Sequence, residues 1–252
     1  MVNKYKQPNS KISKIGVVGA GTMGSGIALT ALLADLRVTL YDISATVLGQ
    51  AFEYIEHHLN RKRKAINIKY LTLTQRLEDL NGSQVVIEAI PEQIDLKLET
   101  FSKLDPICPP PAILATNTST LSVTAIAAAV TEPGRVAGMH FFNPAPILPL
   151  VEVIRGARTA AETIDFLERL AKNLGKTPVV AKDTPGFIVN RVARPFYGEA
   201  LRLLGEGVAS HEQIDTIIEN GGGFRMGPFR LMDLIGIDVN YTATKSIYEQ
   251  TF

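Results

Sequence analysis

A histidine inside one apolar run and an acid inside the next are the residues of this 252-residue chain with the clearest capacity for chemistry. His140 lies in the run 136–142 and Glu152 in the run 150–154. An imidazole takes and returns a proton near neutral pH, and a carboxylate on its other ring nitrogen fixes the tautomer and steadies the imidazolium. A glutamate buried without such a partner is costly, so each residue gives a reason for the other. A satisfied core histidine is the competing reading. Ser119 sits in the polar run 116–120 behind another apolar segment, where it is a helix N-cap, a ligand contact, or both.

The second cluster is Gly19-Ala20-Gly21-Thr22-Met23-Gly24, which fills the pattern G-x-G-x-x-G. Gly19 allows a tight turn, Gly21 lets backbone approach a pyrophosphate, and Gly24 lets a helix pack close to a strand. The helix N-terminus that follows offers N–H groups and partial positive charge to phosphates. Asp42 stands eighteen positions after Gly24. Its carboxylate accepts hydrogen bonds from a ribose and repels a 2′-phosphate, which favours NAD over NADP.

Elements in a fixed order must place these groups. Residues 15–18 and 37–41 read as buried parallel strands, with a helix between them marked by Met23, Ile27, Ala31 and Ala34. Ser44 caps a helix with Val47, Leu48, Ala51, Ile55 and Leu59 on one face, running into Arg61-Lys62-Arg63-Lys64. That basic run is either a solvated helix end favoured by the dipole or an anion site for a large phosphorylated substrate. Strands are predicted at 84–90, 112–115, 136–142, 150–154 and 178–181, and helices at 92–104, 123–130 and 163–174. In an open parallel sheet, ligands gather beyond the carboxyl ends of the strands, the edge where Glu92 and 117–119 fall. From Asp183 onward the period is helical only: a long helix through Pro195, a shorter one capped by Ser210, a break at Gly221-Gly222-Gly223, and a helix over 232–248. The expected fold is therefore α/β, a Rossmann-like doubly wound and mostly parallel sheet, followed by a smaller all-helical C-terminal domain.

Composition narrows the partners. Lys and Arg total 26 against 25 Asp and Glu, for a net charge of +1, so no global field points to nucleic acid or an anionic membrane. Cys108 is the single cysteine; it forms no internal disulfide, lacks metal-site spacing, and suits a reducing, cytoplasmic setting. No metal site is expected. No apolar run reaches the ~18 residues of a membrane span, and the polar residues 1–11 read as a flexible leader.

Taken together, these stretches resemble the L-3-hydroxyacyl-CoA dehydrogenase family, the 3-hydroxybutyryl-CoA type included. The resemblance is carried by GAGTMGSGIA (19–28), VIEAIPE (86–92), ATNTSTLSVT (115–124), GMHFFNPAPILPLVEVI (138–154), KDTPGFIVNRV (182–192), EALRLLGEGVAS (199–210) and MGPFRLMDLIG (226–236). It implies NAD-dependent oxidation of a 3-hydroxyacyl-CoA to the 3-ketoacyl thioester, or the reverse, in fatty acid β-oxidation or related metabolism. It implies His140 as general base, Glu152 as its orienting acid, and Ser119 and Asn190 as hydrogen-bond partners of the reacting oxygen. It adds Glu92, Lys97, Ser119 and Asn143 to the cofactor contacts, beside the glycine loop and Asp42. Arg61 and Lys64 become candidates for the CoA phosphates, on an arm shorter than the family's. Residues 12–183 are then the NAD-binding domain, and 184–252 the substrate and dimerisation domain, which ends earlier than in the family and is expected to be incomplete. The full-length protein is expected to be a homodimer. A sugar-acid dehydrogenase of the L-gulonate type and a catalytically weak NAD-binding module are the alternatives; Phe141-Phe142 after His140 favours the acyl-CoA branch.

Overall fold

The computed structural model describes residues 12–251, so the leader expected over 1–11 lies outside the described residues. By contacts the chain divides into two compact units, up to Asp183 and from Thr184 onward. The first holds one eight-stranded sheet in the order β3-β2-β1-β4-β5-β6-β7-β8. Its strands are β1 (Lys14–Val18), β2 (Arg37–Tyr41), β3 (Leu71–Thr74), β4 (Val85–Glu88), β5 (Ile113–Thr116), β6 (Val136–Phe141), β7 (Leu150–Arg155) and β8 (Thr177–Lys182). Neighbours pair in parallel except β6 and β7, which are antiparallel. The order reverses between β1 and β4, which opens a crevice at the carboxyl edge beside the first glycine turn.

Strand alternation sends side chains to two separate cores. Val17 and Ile87 enter one, with α1 (Thr22–Leu33), α2 (Ala45–Arg61) and α5 (Ala161–Asn173) supplying Ile27, Ile55 and Leu167. Val18 and Val86 enter the other, where α3 (Ile94–Ile107) and α4 (Val123–Ala127) supply Phe101 and Ile126. Helices on both faces are what make the sheet doubly wound. Cys108 is buried at the end of α3, and burial pushes its thiol up to about 11, which leaves it inert as a nucleophile.

Two elements differ from the sequence reading. The segment 71–74 is a strand, β3, although it was not among those predicted; too short to show a period, it is defined by its pairing with β2. The single helix expected over 232–248 is two, α8 (Pro228–Ile235) and α9 (Ile237–Thr251). Gly236 between them has φ +102, outside the helical region, while the apolar spacing runs on unbroken. With α6 (Val189–Gly205) and α7 (His211–Asn220) these helices form the second unit. There, buried Asp215 accepts from the N–H groups of Phe229 and Arg230 at 2.9 and 3.1 Å and so caps α8.

The turn after β1 has no room for side chains at two of its glycines. Gly19 has φ +95, and a Cβ there would lie 2.7 Å from Ala89 O; a Cβ on Gly24 would run into Gly19 O. Gly19→Ala is therefore expected to cost about 1–3 kcal/mol, lowering the thermal midpoint by about 2–4 °C per kcal/mol. A melting curve superimposable on the wild type would show that this turn relaxes freely.

Candidate active site

The antiparallel register sets His140 opposite Glu152, so their side chains leave the same face as cross-strand neighbours. The imidazole Nδ1 lies 2.8 Å from Glu152 Oε2. Both residues are buried, at 4% and 1% exposure. Beside a buried carboxylate, Nδ1 carries the proton and donates it, which leaves Nε2 as the acceptor. Nε2 is 3.1 Å from Ser119 Oγ. The half-buried Phe142 ring lies tilted against the imidazole with centroids 4.6 Å apart. The result is a hydroxyl–imidazole–carboxylate relay at the carboxyl edge of the sheet, able to take a proton from a substrate hydroxyl and store the charge.

Ser119 is not a helix cap. The N-cap of α4 is Ser122, whose hydroxyl accepts from Ala125 N–H at 3.2 Å. Asp183 reinforces that end, accepting from the Ser122 hydroxyl and from the N–H groups of Val123 and Thr124. Ser119 instead belongs to a loop gripped from below. Glu92 Oε1 accepts from Thr118 Oγ1 at 2.6 Å and from the N–H groups of Ser119 and Thr120 at 2.8 and 3.0 Å. Asn117 Oδ1 accepts from Phe141 N–H at 2.8 Å, tying the same loop to β6. Burial pushes the Glu92 carboxyl up, but the Lys97 charge and the donors from Thr118, Ser119 and Thr120 outweigh it and hold the group below the usual carboxylate range. Lys97 is 1% exposed and pairs with Glu88 at 2.7 Å.

The glycine loop provides the second half of the site. Gly19 N–H donates to Tyr41 O at 2.8 Å, and Ala20 N–H donates to Asp42 Oδ2 at 2.8 Å. Asp42 Oδ1 accepts from Ser44 N–H at 2.9 Å. Each carboxylate oxygen thus holds one backbone donor and keeps a second acceptor position for hydroxyls. Gly21, the N-cap of α1, is exposed, and a Cβ there would touch nothing within 4 Å; it provides no side-chain hydrogen bond to the first N–H groups of α1. Thr22 is exposed and Met23 half-buried beside it. An open backbone cradle next to an acid fits a dinucleotide pyrophosphate and ribose.

The remaining predicted residues are more dispersed. Asn143 is exposed two residues after the end of β6. Asn190 is half-buried at the second position of α6, in the helical unit. Lys64 pairs with Asp35 at 2.9 Å, while Arg61, Lys62 and Arg63 are exposed at the end of α2. Sequence reasoning overlooked Glu88 and Thr116. The signal was present: Glu88 is an acid in an apolar strand, the pattern that drew attention to Glu152.

The chain is similar to known proteins along most of its length. Residues 14–184 match the family model described as 3-hydroxyacyl-CoA dehydrogenase, NAD binding domain, and residues 186–252 match the C-terminal domain of the same name. The chain is 46% identical to the 3-hydroxyadipyl-CoA dehydrogenase of Escherichia coli over 94% of its own length, but spans only 52% of that protein. It is 44% identical to the probable 3-hydroxybutyryl-CoA dehydrogenase of Bacillus subtilis, over 90% of this chain and 83% of that one. The crystal structure of 3-hydroxybutyryl-CoA dehydrogenase from E. coli superposes with a TM-score of 0.92 at 45% identity, covering 96% of this chain and 53% of that chain.

The grip on the Ser119 loop depends on an ionised Glu92. Its folded pKa is depressed, so its contribution to stability is present above the ordinary carboxylate value of about 4.3 and is lost as pH falls through the lower folded value. The stability gap between wild type and Glu92→Gln in urea denaturation is expected to be constant near neutrality and to close under acid. A gap that stays open at the lowest pH would count against a charge-dependent grip.

Proposed function

The chain belongs to the 3-hydroxyacyl-CoA dehydrogenase family, and from that premise we propose that it oxidises (S)-3-hydroxyacyl-CoA thioesters, such as 3-hydroxybutyryl-CoA, to 3-ketoacyl-CoA with NAD, reversibly. The observation that carries the proposal is the relay from Ser119 through His140 to Glu152, on the same sheet edge as the open glycine cradle. NAD, when bound, supplies the hydride acceptor for C3. Gly19 to Gly24 and Asp42 would hold its pyrophosphate and ribose, with Glu92, Lys97, Ser119 and Asn143 as the further contacts that the family resemblance implies.

His140 Nε2 takes the hydroxyl proton as the C3 hydride departs, and Glu152 stabilises the imidazolium that results. In the reverse direction the imidazolium returns that proton to the carbonyl oxygen. The Ser119 hydroxyl, 3.1 Å from Nε2 before substrate binds, turns its single proton from the ring to the reacting oxygen, which aligns that oxygen and frees Nε2 to take the substrate proton. The family resemblance alone adds Asn190 as a second hydrogen-bond partner of that oxygen. Residues 12–183 then form the cofactor domain and 184–252 the substrate and dimerisation domain. Val192, Leu234, Ile237 and Tyr241 are exposed apolar or aromatic side chains of the helical unit, surface of the kind that a second copy covers in a homodimer. No helix among the described residues is long and apolar enough to cross a membrane. The reading places the chain in the cytoplasm, in fatty acid β-oxidation or related acyl-CoA metabolism, on the family resemblance alone. The relatives reported above are named for acyl-CoA substrates, and this weighs against a sugar acid as substrate.

His140→Gln is expected to lower turnover of acetoacetyl-CoA with NADH by about 10²–10⁴-fold while NADH titration shows unchanged affinity. Turnover within a few-fold of wild type would remove His140 from the mechanism, and NADH binding without turnover in the wild type would favour the weak binding module. The basic run gives a second expectation. With Lys64 held by Asp35, replacing Arg61, Lys62 and Arg63 by Gln is expected to raise KM for acetoacetyl-CoA by about 3–10-fold, kcat unchanged, with the difference shrinking in high salt. An unaltered KM at low salt would leave these cations as a plain solvated helix end.

A further inference from the structure

Glu88 is a second carboxylate that the sheet buries, and no step above uses it. It ends β4, is 0% exposed, and both of its oxygens are engaged. Oε1 accepts from Lys97 Nζ and from Ile90 N–H, each at 2.7 Å, and Oε2 accepts from Thr116 Oγ1 at 2.7 Å. Two routes run from it to the loop that carries Ser119. In one, the Lys97 ammonium spans Glu88, Ile90 O at 3.3 Å and Glu92 Oε2 at 3.4 Å, and Glu92 Oε1 receives Thr118, Ser119 and Thr120. In the other, Thr116 Oγ1 gives its proton to Glu88 and accepts from Thr118 N–H at 3.2 Å. By accepting from the Thr116 hydroxyl, Glu88 turns that oxygen's lone pairs toward Thr118 N–H, and by accepting from Lys97 it fixes the ammonium that faces Glu92.

A buried ion pair is a weak source of stability, because desolvation offsets most of the attraction and an apolar pair of similar volume often serves as well. An apolar pair transmits no orientation to a loop, whereas three acceptors around one ammonium fix where Glu92 sits. We propose that Glu88 is a positioning residue for the reaction: through Lys97 and Glu92, and through Thr116, it keeps Ser119 Oγ within hydrogen-bond distance of His140 Nε2. It touches no reacting atom itself. The inference rests on the reading of His140 as general base.

Glu88→Gln and Thr116→Val, each alone and combined with Ser119→Ala, are assayed with NADH and acetoacetyl-CoA beside His140→Gln, and folding is followed by thermal denaturation. Glu88→Gln is expected to lower kcat by about 10–100-fold, the effect of misplacing a group by about 1 Å, with KM for acetoacetyl-CoA within a factor of about two. Thr116→Val, which loses one hydrogen bond and no charge, is expected to fold and to show a smaller loss; it decides the matter if Glu88→Gln does not fold. In the Ser119→Ala background neither change should lower kcat further, because the residues act as one unit. Unchanged kcat in the folded variants, losses that persist undiminished without the Ser119 hydroxyl, or a silent Ser119→Ala beside an impaired Glu88→Gln would each overturn the proposal. Full turnover in His140→Gln removes the reading beneath it, whereas an inactive His140→Gln beside unimpaired Glu88 and Thr116 variants removes this inference alone.

Discussion

A carboxylate buried in a sheet must find donors, and much of this site is the consequence. Glu152 and Glu88 each sit in an apolar strand at 1% exposure or less, where an ionised group without partners would be prohibitively costly. Glu152 is satisfied by the imidazole opposite it, and Glu88 by an ammonium, an amide and a hydroxyl. The imidazole and the ammonium are thereby immobilised, and the order they acquire extends outward to Ser119 and Glu92. The strands are rigid, so the positions of the polar groups are as fixed as the sheet itself.

The second constraint is steric. Gly19 and Gly24 allow β1 to turn into α1 with no space for a methyl group, while Gly21 faces open space. Backbone packed tightly on one side and bare on the other is what a phosphate-bearing ligand requires of a turn. Asp42 couples this turn to the end of β2 by accepting from Ala20 N–H. The acid proposed to receive the ribose is thus the one that braces the loop, through the N–H groups of Ala20 and Ser44.

Parallel strands bring these parts together. β1, β4, β5 and β6 all end at the same edge, and they deliver the glycine turn, Glu88, Thr116 and His140 from positions far apart in the chain. The reversal of direction at β7 then returns Glu152 to His140. Were β7 parallel to β6, a crossover would be needed and the short loop 142–149 could not supply it. Asp183 closes the first unit, its carboxylate holding the N-terminus of α4, so the chain leaves the sheet from an anchored point.

The amino-acid sequence alone was enough for the alternation of strands and helices, the glycine turn with its acid, and the change to helices after Asp183, because each is a local pattern with a period or a spacing. It also marked His140 and Glu152, since polar groups stand out in apolar runs. It did not reveal β3, which exists only by pairing with β2, nor the break at Gly236, where the apolar spacing continues through a residue that leaves the helix. Only the tertiary structure decided that Ser119 faces His140 rather than capping α4, that Lys64 is held by Asp35, and that Glu88, Lys97 and Glu92 form one network. Those are contacts between elements, and their partners are set by register and packing, which no local pattern encodes.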